Sequence, residues 1–161
     1  MKLNIQPELV SDAIEEALRH LDRNAEKRKI VTDLQDDLLL AQMDSALIVQ
    51  VLINLVNNAV KYTPEDAKIT IGAKAEGNMA LLWVEDEGQG IPEGTEDKVF
   101  DMFYTGVKHS ADSRRGIGLG LALCRSIVQA HGGEITVRNV EPHGACFRFT
   151  LPMAEVKEYG Q

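Results

Sequence analysis

Three stretches of the chain carry apolar residues at helical spacing. The first covers residues 7 to 23, where Pro7 suits the opening turn of a helix. The second follows a polar cap at residues 44 and 45 and ends near residue 62. The third begins at about residue 119 and ends at Gly132 and Gly133, since glycine tolerates the left-handed backbone that closes a helix. The pattern predicts three helices.

Other stretches alternate between apolar and polar residues, as strands do. Short strands are predicted at residues 29 to 34 and 38 to 41. Residues 68 to 74 and 79 to 85 form a hairpin around Gly77 and Asn78, and the segment from 135 to 151 forms a second hairpin around His143 and Gly144. Hairpins mixed with helices predict an α/β two-layer sandwich.

Length, charge and cysteine content narrow the class of protein. A chain of 161 residues fits one domain. A net charge of -8 argues against nucleic-acid binding, which needs clustered Lys and Arg. No apolar run is long enough to span a bilayer, and the N-terminus carries no secretory leader, so a cytoplasmic domain without membrane contact is expected. Cys124 and Cys146 are predicted to be small core residues.

The second helix carries a polar face without negative charge. Gln50, Asn54, Asn58 and Lys61 fall within an arc of roughly 80° at 100° per residue. Amide oxygens suit a Mg²⁺ ion whose charge is balanced by phosphates, and a lysine can contact phosphate oxygens. An ordinary solvated helix face explains the pattern equally well when it is taken alone.

Two glycine-containing segments are candidate ligand loops. Asp86 follows a buried strand and precedes Gly88 and Gly90, where a flat ligand could approach the backbone and donate an amine hydrogen to the carboxylate, as adenine does. A tight turn is the alternative. Gly116, Gly118 and Gly120 open the third helix, whose free N–H groups can bind phosphate. Their spacing is neither the dinucleotide fingerprint nor the P-loop.

Taken together, these segments resemble the histidine kinase branch of the Bergerat ATP-binding superfamily, which also contains gyrase B, Hsp90 and MutL. The likeness extends from about Leu3 to Pro152, and four family motifs have counterparts within it. They are the N box "NLVNNAVKY", the G1 box "DEGQGI", the F box "FDMFY" and the G2 box "GIGLGL". Within the branch, "GLGLALCRSIVQAHGG" and "GACFRFTLP" look most like the Kdp-type potassium-sensing kinases.

The resemblance implies a binding site for ATP and Mg²⁺. Asn58 and Asn54 would meet the metal, Lys61 and Tyr62 would lie along the phosphates and sugar, and Asp86 would read the adenine amine. The other nucleotide-binding residues implied are Gly88, Gly90, Ile91, Lys108, Arg115, Gly116, Gly118, Leu119, Gly120 and, beside the base, Thr150. Asn54, Asn58 and Lys61 are the candidate catalytic residues.

The resemblance also implies the architecture and the domain limits. A mixed, mostly antiparallel five-stranded sheet would carry three helices on one face. Residues 1 to 152 would form the ATP-binding catalytic domain, residues 104 to 117 an ATP lid, and residues 153 to 161 a frayed tail.

The implied function is transfer of the ATP γ-phosphate to a histidine on a separate dimerisation domain. None of the four histidines of this chain has the sequence of a phosphoacceptor, so that domain would belong to the rest of a membrane-anchored receptor, whose response regulator is an indirect partner. Two alternatives remain open: a Bergerat-type ATPase or anti-sigma-like serine kinase, and a non-catalytic nucleotide-sensing module. The first carries a Glu where Asn54 stands.

Overall fold

A five-stranded sheet forms the centre of the computed structural model, which describes residues 2–36, 38–101 and 119–154. Its strands are β2 (Lys29–Leu34), β4 (Lys68–Glu76), β5 (Met79–Asp86), β6 (Ile135–Asn139) and β7 (Ala145–Pro152). They lie in the order β2-β4-β5-β7-β6. The β2–β4 pair is parallel and the other three pairs are antiparallel, which confirms the predicted mixed sheet.

Three helices cover this sheet: α1 (Val10–Arg19), α3 (Ser45–Lys61) and α4 (Leu119–Ala130). Helix α3 lies between the other two and packs on β4 and β5, while α4 packs on β6 and β7. Residues that alternate along the strands, such as Ile69, Ile71 and Phe149, are completely buried against the helices. This alternation places the core between the two layers, as predicted.

The N-terminal segment differs from its prediction. Residues 6 to 9 form a strand, β1 (Gln6–Leu9), rather than the opening turn of a helix. It pairs antiparallel with β3 (Leu40–Met43) in a separate two-stranded sheet, and Pro7 is tolerated because such a strand has a free edge. Helix α1 therefore begins only at Val10, and a short helix α2 (Arg23–Glu26), absent from the prediction, follows with Asp22 as its cap.

The termini of α3 and α4 agree with their sequence signals. The side chain of Asp44 accepts a hydrogen bond from Leu47 N at the start of α3. At the end of α4, Gly132 adopts φ +83° and Gly133 N donates to Val128 O at 3.0 Å. Both helices end within about two residues of the predicted positions.

One buried histidine joins these two helices. His131 follows α4; its Nε2 accepts from Asp44 N at 3.0 Å, and its Nδ1 donates to Ile127 O at 2.7 Å. A backbone N–H can only donate and a carbonyl can only accept, so these partners define the neutral tautomer protonated on Nδ1. The histidine fixes the end of α4 against the start of α3.

The prediction that the tail is frayed from residue 153 onward is wrong for the first two of these residues. Met153 bridges to Ala41, and Ala154 N donates to Leu40 O at 3.0 Å. The remaining tail, residues 155 to 161, and the expected lid, residues 104 to 117, lie outside the described residues. Among the helices that the structure describes, none combines the length and the apolar character of a membrane span.

Candidate nucleotide-binding site

Helix α3 directs its polar face away from the core. Its buried side carries Ile48, Val51, Leu52, Leu55, Val56 and Ala59. On the other side, Asn54 and Asn58 are half-buried and Lys61 is exposed. The amide of Gln50 donates from Nε2 to Asn54 Oδ1 at 3.0 Å, so these two residues one turn apart hold each other. The expected polar face is present, and the amides of Gln50 and Asn54 orient each other.

Asp86 ends β5 with its side chain almost completely buried, 6% of the residue being exposed. Its Oδ1 accepts from Gly88 N at 2.9 Å and from Ala145 N at 3.2 Å. Within the described residues no donor reaches Oδ2. Burial raises the pKa of this carboxyl, although both backbone hydrogen bonds and the charge of Arg28 oppose the rise. One carboxylate oxygen is therefore held by the fold and the other remains available to a ligand.

A cavity of about 340 Å³ opens beside this carboxylate. Its lining comprises Asn58, Tyr62, Asp86, Gln89, Gly90, Ile91, Pro92, Val99, Leu121, Ala145 and Phe147. The volume lies within the range of about 300 to 1,000 Å³ that is usual for small-molecule sites. Apolar side chains of four different segments surround one buried acceptor, which is an arrangement suited to a flat, amine-bearing ring.

The two glycines of the loop after β5 are required for different reasons. A Cβ on Gly88 would stand 2.7 Å from Thr63 Cγ2 and 3.0 Å from Tyr62 O. Protein packing therefore excludes a side chain here, whereas the sequence suggested the approach of a ligand. Gly90 lines the cavity with φ +80°, a conformation that other residues rarely adopt.

The structure brings only some of the expected residues to the cavity. Asn58, Tyr62 and Ile91 line it together with Asp86 and Gly90. Lys61 and Asn54 lie on the same helix outside this lining, and Lys61 Nζ stands 5.3 Å from the ring centroid of Tyr62. Of the three candidate catalytic residues on α3, only Asn58 therefore lines the cavity.

The structure does not bring Thr150, which was expected beside the base, to the lining of the cavity. Thr150 pairs with Leu81, and its Oγ1 accepts from Glu134 N at 3.1 Å on the far part of the sheet. It lies five positions along β7 from Ala145, which is a distance of about 17 Å. Ala145, which borders Asp86, occupies the position that the sequence assigned to the threonine.

The G2 box is described only at its end. Leu119 begins α4, and Gly120 lies in its first turn with open space around its Cα. Leu121, one residue further, lines the cavity. Lys108, Arg115, Gly116 and Gly118 lie outside the described residues, so their phosphate contacts stay predictions.

Several residues of the site were not predicted. Gln89, Pro92, Val99, Leu121, Ala145 and Phe147 join the lining. The F box pointed to this part of the site, because its Phe100 packs edge-on against Phe147, with ring centroids 6.0 Å apart. Two supporting residues, Arg28 and Asn139, gave no local signal, since both act on segments distant in sequence.

The residues present fit an adenine nucleotide and Mg²⁺. The free carboxylate oxygen of Asp86 matches an exocyclic amine, and Ile91, Val99, Leu121 and Phe147 provide apolar walls for the ring. Neutral amide oxygens at Asn54 and Asn58 suit a metal ion that retains waters and phosphate ligands.

Residues 43–155 match the family described as "Histidine kinase-, DNA gyrase B-, and HSP90-like ATPase", and the chain belongs to this family. Among its relatives is the sensor protein KdpD of Escherichia coli K12, 49% identical over 125 residues, which are 78% of this chain and 14% of that protein. The sensor protein KdpD of Clostridium acetobutylicum is 40% identical over 151 residues, 94% of this chain and 17% of that protein. The resemblance to Kdp-type histidine kinases is confirmed.

Solved structures agree with this assignment. The catalytic domain of histidine kinase ThkA superimposes with a TM-score of 0.81 at 30% identity, covering 93% of this chain and 96% of that one. A complex of ThkA with the response regulator TrrA gives a TM-score of 0.78 at 29% identity, covering 93% of this chain and 42% of the matched chain. The fold is therefore that of a histidine kinase catalytic domain, and the chain spans 14–17% of the KdpD relatives it matches.

Proposed function

We propose that this chain is the ATP-binding catalytic domain of a two-component sensor histidine kinase, which supplies the γ-phosphate of ATP to a histidine on a separate dimerisation domain. The observation that carries the proposal is Asp86, a buried carboxylate with one oxygen fixed by the backbone and the other open to an apolar cavity. This is an adenine-reading geometry, and it adjoins a helix that bears amides and a lysine.

The roles of the residues follow from their positions. Asp86 accepts the adenine amine, while Val99, Leu121 and Phe147 enclose the ring and exclude water. Guanine presents a carbonyl where adenine presents an amine, so it would face the carboxylate with like partners and be rejected.

The phosphate side of the site belongs to α3. Asn58 and Asn54 would hold Mg²⁺, and Lys61 would contact phosphate oxygens; the bound metal ion neutralises phosphate charge. Neither amide can remove a proton from water near neutral pH, so α3 offers no general base for hydrolysis. Transfer would depend on an acidic neighbour of the acceptor histidine, and chemistry would await docking of that domain.

The partners are the dimerisation and histidine phosphotransfer domain of the same receptor and, indirectly, its response regulator. The complex of ThkA with a response regulator supports this pairing for a related kinase. We also propose that the domain lies on the cytoplasmic side of a membrane-anchored receptor, because ATP would be its phosphate donor.

Titration calorimetry with Mg·ADP, Mg·ATP and Mg·GDP, followed by incubation with γ-labelled ATP and a separately supplied acceptor domain, tests the proposal. We expect adenine nucleotides to bind, GDP to fail, and label to appear on the acceptor histidine. Binding without transfer would favour a nucleotide-sensing module. Steady phosphate release near one per second by the domain alone would favour an ATPase, since that rate requires a base.

A further inference from the structure

The loop that follows β5 reaches the cavity without belonging to a helix or strand. Residues 87 to 92 have no regular hydrogen-bonding pattern, yet Gly90 and Ile91 line the cavity. Side chains hold this loop in place: Asp86 accepts from Gly88 N, and His143 Nδ1 donates to Gly88 O at 3.2 Å. A segment fixed by so few bonds depends strongly on each of them.

Asn139, at the end of β6, provides the most complete attachment. Its Oδ1 accepts from Ile91 N at 2.7 Å, and its Nδ2 donates to Ile91 O at 3.0 Å. One side-chain amide thus satisfies both backbone groups of a residue 48 positions away. The pair imitates the exchange of hydrogen bonds between two strands and extends the edge of the sheet to the cavity wall.

The packing around Gly90 shows that the attachment is also steric. A Cβ on Gly90 would collide with Asn139 Oδ1 and stand 2.9 Å from Gly144 O. Next to Gly144, Ala145 N donates a hydrogen bond to Asp86 Oδ1 at 3.2 Å. The segment from 139 to 145 therefore touches the loop at both ends, and Asn139 does so without lining the cavity itself.

We propose that Asn139 is a positioning residue of the nucleotide site, which holds Ile91 and Gly90 against the adenine ring by pairing with the backbone of Ile91. The proposal rests on the proposed function for the identity of the ligand. Asn139 acts on the base-binding loop and is remote in sequence from the amides of α3, so its loss should weaken the binding of substrate and transition state equally.

Asn139→Leu removes both hydrogen bonds and keeps the branched shape and heavy-atom count of the side chain. Thr136→Val is the matched control, an exposed polar-to-apolar change on the same strand. We expect the Kd for Mg·ADP to rise about 10- to 30-fold in Asn139→Leu, as the loss of two hydrogen bonds warrants, and to stay unchanged in the control. In transfer to an acceptor domain, KM for ATP should rise while kcat stays constant.

Hydrogen exchange of the free protein separates positioning from a general structural role. The Ile91 amide should exchange faster in Asn139→Leu, while amides in the centre of β5 and β7 keep their wild-type protection. Unchanged ADP affinity, or a uniform loss of protection across the sheet, would overturn the inference. Failure of the wild-type domain itself to bind ADP would instead refute the proposed function.

Discussion

Replacing Asp86 by Asn should separate folding from nucleotide binding. Asn is isosteric, and its Oδ1 can still accept from Gly88 N and Ala145 N at the distances of 2.9 and 3.2 Å found for the carboxylate. The changed atom is the one that faces the cavity, where an NH₂ group replaces a carboxylate oxygen. We expect the fold to survive and the adenine amine to meet a second donor.

The size of the binding loss follows from two contributions. A hydrogen bond to a charged group contributes about 1.5–3 kcal/mol, and leaving a buried donor without an acceptor costs about 1–3 kcal/mol more. Together they predict that Kd for Mg·ADP rises by about 10²- to 10³-fold or more. Asp33→Asn is the matched control, because Asp33 is an exposed carboxylate of β2 and its replacement changes the net charge equally.

Asp86→Asn should lower the affinity for ADP but not the stability of the empty domain. Burial raises the pKa of Asp86 above its ordinary value of 3.8. A carboxyl whose pKa is raised in the folded state contributes stability to the fold below its unfolded pKa, and this stability is lost as pH rises through the folded pKa. At neutral pH the ionised Asp86 carboxylate therefore destabilises the empty domain. Asp86→Asn without nucleotide should therefore be at least as stable as wild type at pH 7.

Calorimetry with Mg·ADP and urea denaturation without nucleotide, both at pH 7, check these expectations. In the wild type, ADP affinity should also begin to fall on acidification at a pH above that of an ordinary aspartate, because binding needs the ionised form. Unchanged ADP affinity of Asp86→Asn would remove this carboxylate from the site. Loss of affinity accompanied by a large loss of stability would show that the residue is mainly structural.

Three further experiments test the packing of the site and of the core. Gly90→Ala should lower the free energy of unfolding by about 1–3 kcal/mol and weaken ADP binding, whereas Gly77→Ala, at φ +62° with open space, should affect stability alone. Equal ADP affinities of these two variants would contradict this. His131→Leu should cost about 1–3 kcal/mol in urea denaturation by leaving Asp44 N unpaired. Cys124, buried and with its pKa raised to about 12, should react with a thiol reagent only after unfolding; rapid labelling of native protein would refute its burial.

The central layers of the fold could be predicted because their signals are local. The cap at Asp44, the apolar face of α3 and the Gly77 turn are each contained within a few residues, and the structure reproduces them. The N-terminal strand could not be predicted in this way. Residues 6 to 9 are extended because they pair with β3, more than thirty positions away, and this tertiary pairing overrides a local pattern that favours a helix.

The same distinction explains which site residues were found. Asp86 and Asn58 stand in recognisable motifs, whereas Thr150, which the family resemblance placed beside the base, stands in none of the four motifs. Pairing with Leu81 places Thr150 five positions along the ladder from Asp86, and no feature of the strand sequence alone determines that register. Arg28 was also missed, because its guanidinium donates to Val60 O and to the Thr63 hydroxyl, partners that only the folded chain brings near.

Arg28 shows how the two halves of the site are kept in register. Its hydrogen bonds hold the C-terminal end of α3 and the following turn, and Thr63 in that turn packs where Gly88 has no side chain. The amide-bearing helix and the loop that follows β5 are thus in contact through the turn at Thr63. Any ligand that spans both must match the fixed distance between them, which favours a nucleotide with its base at Asp86 and its phosphates along α3.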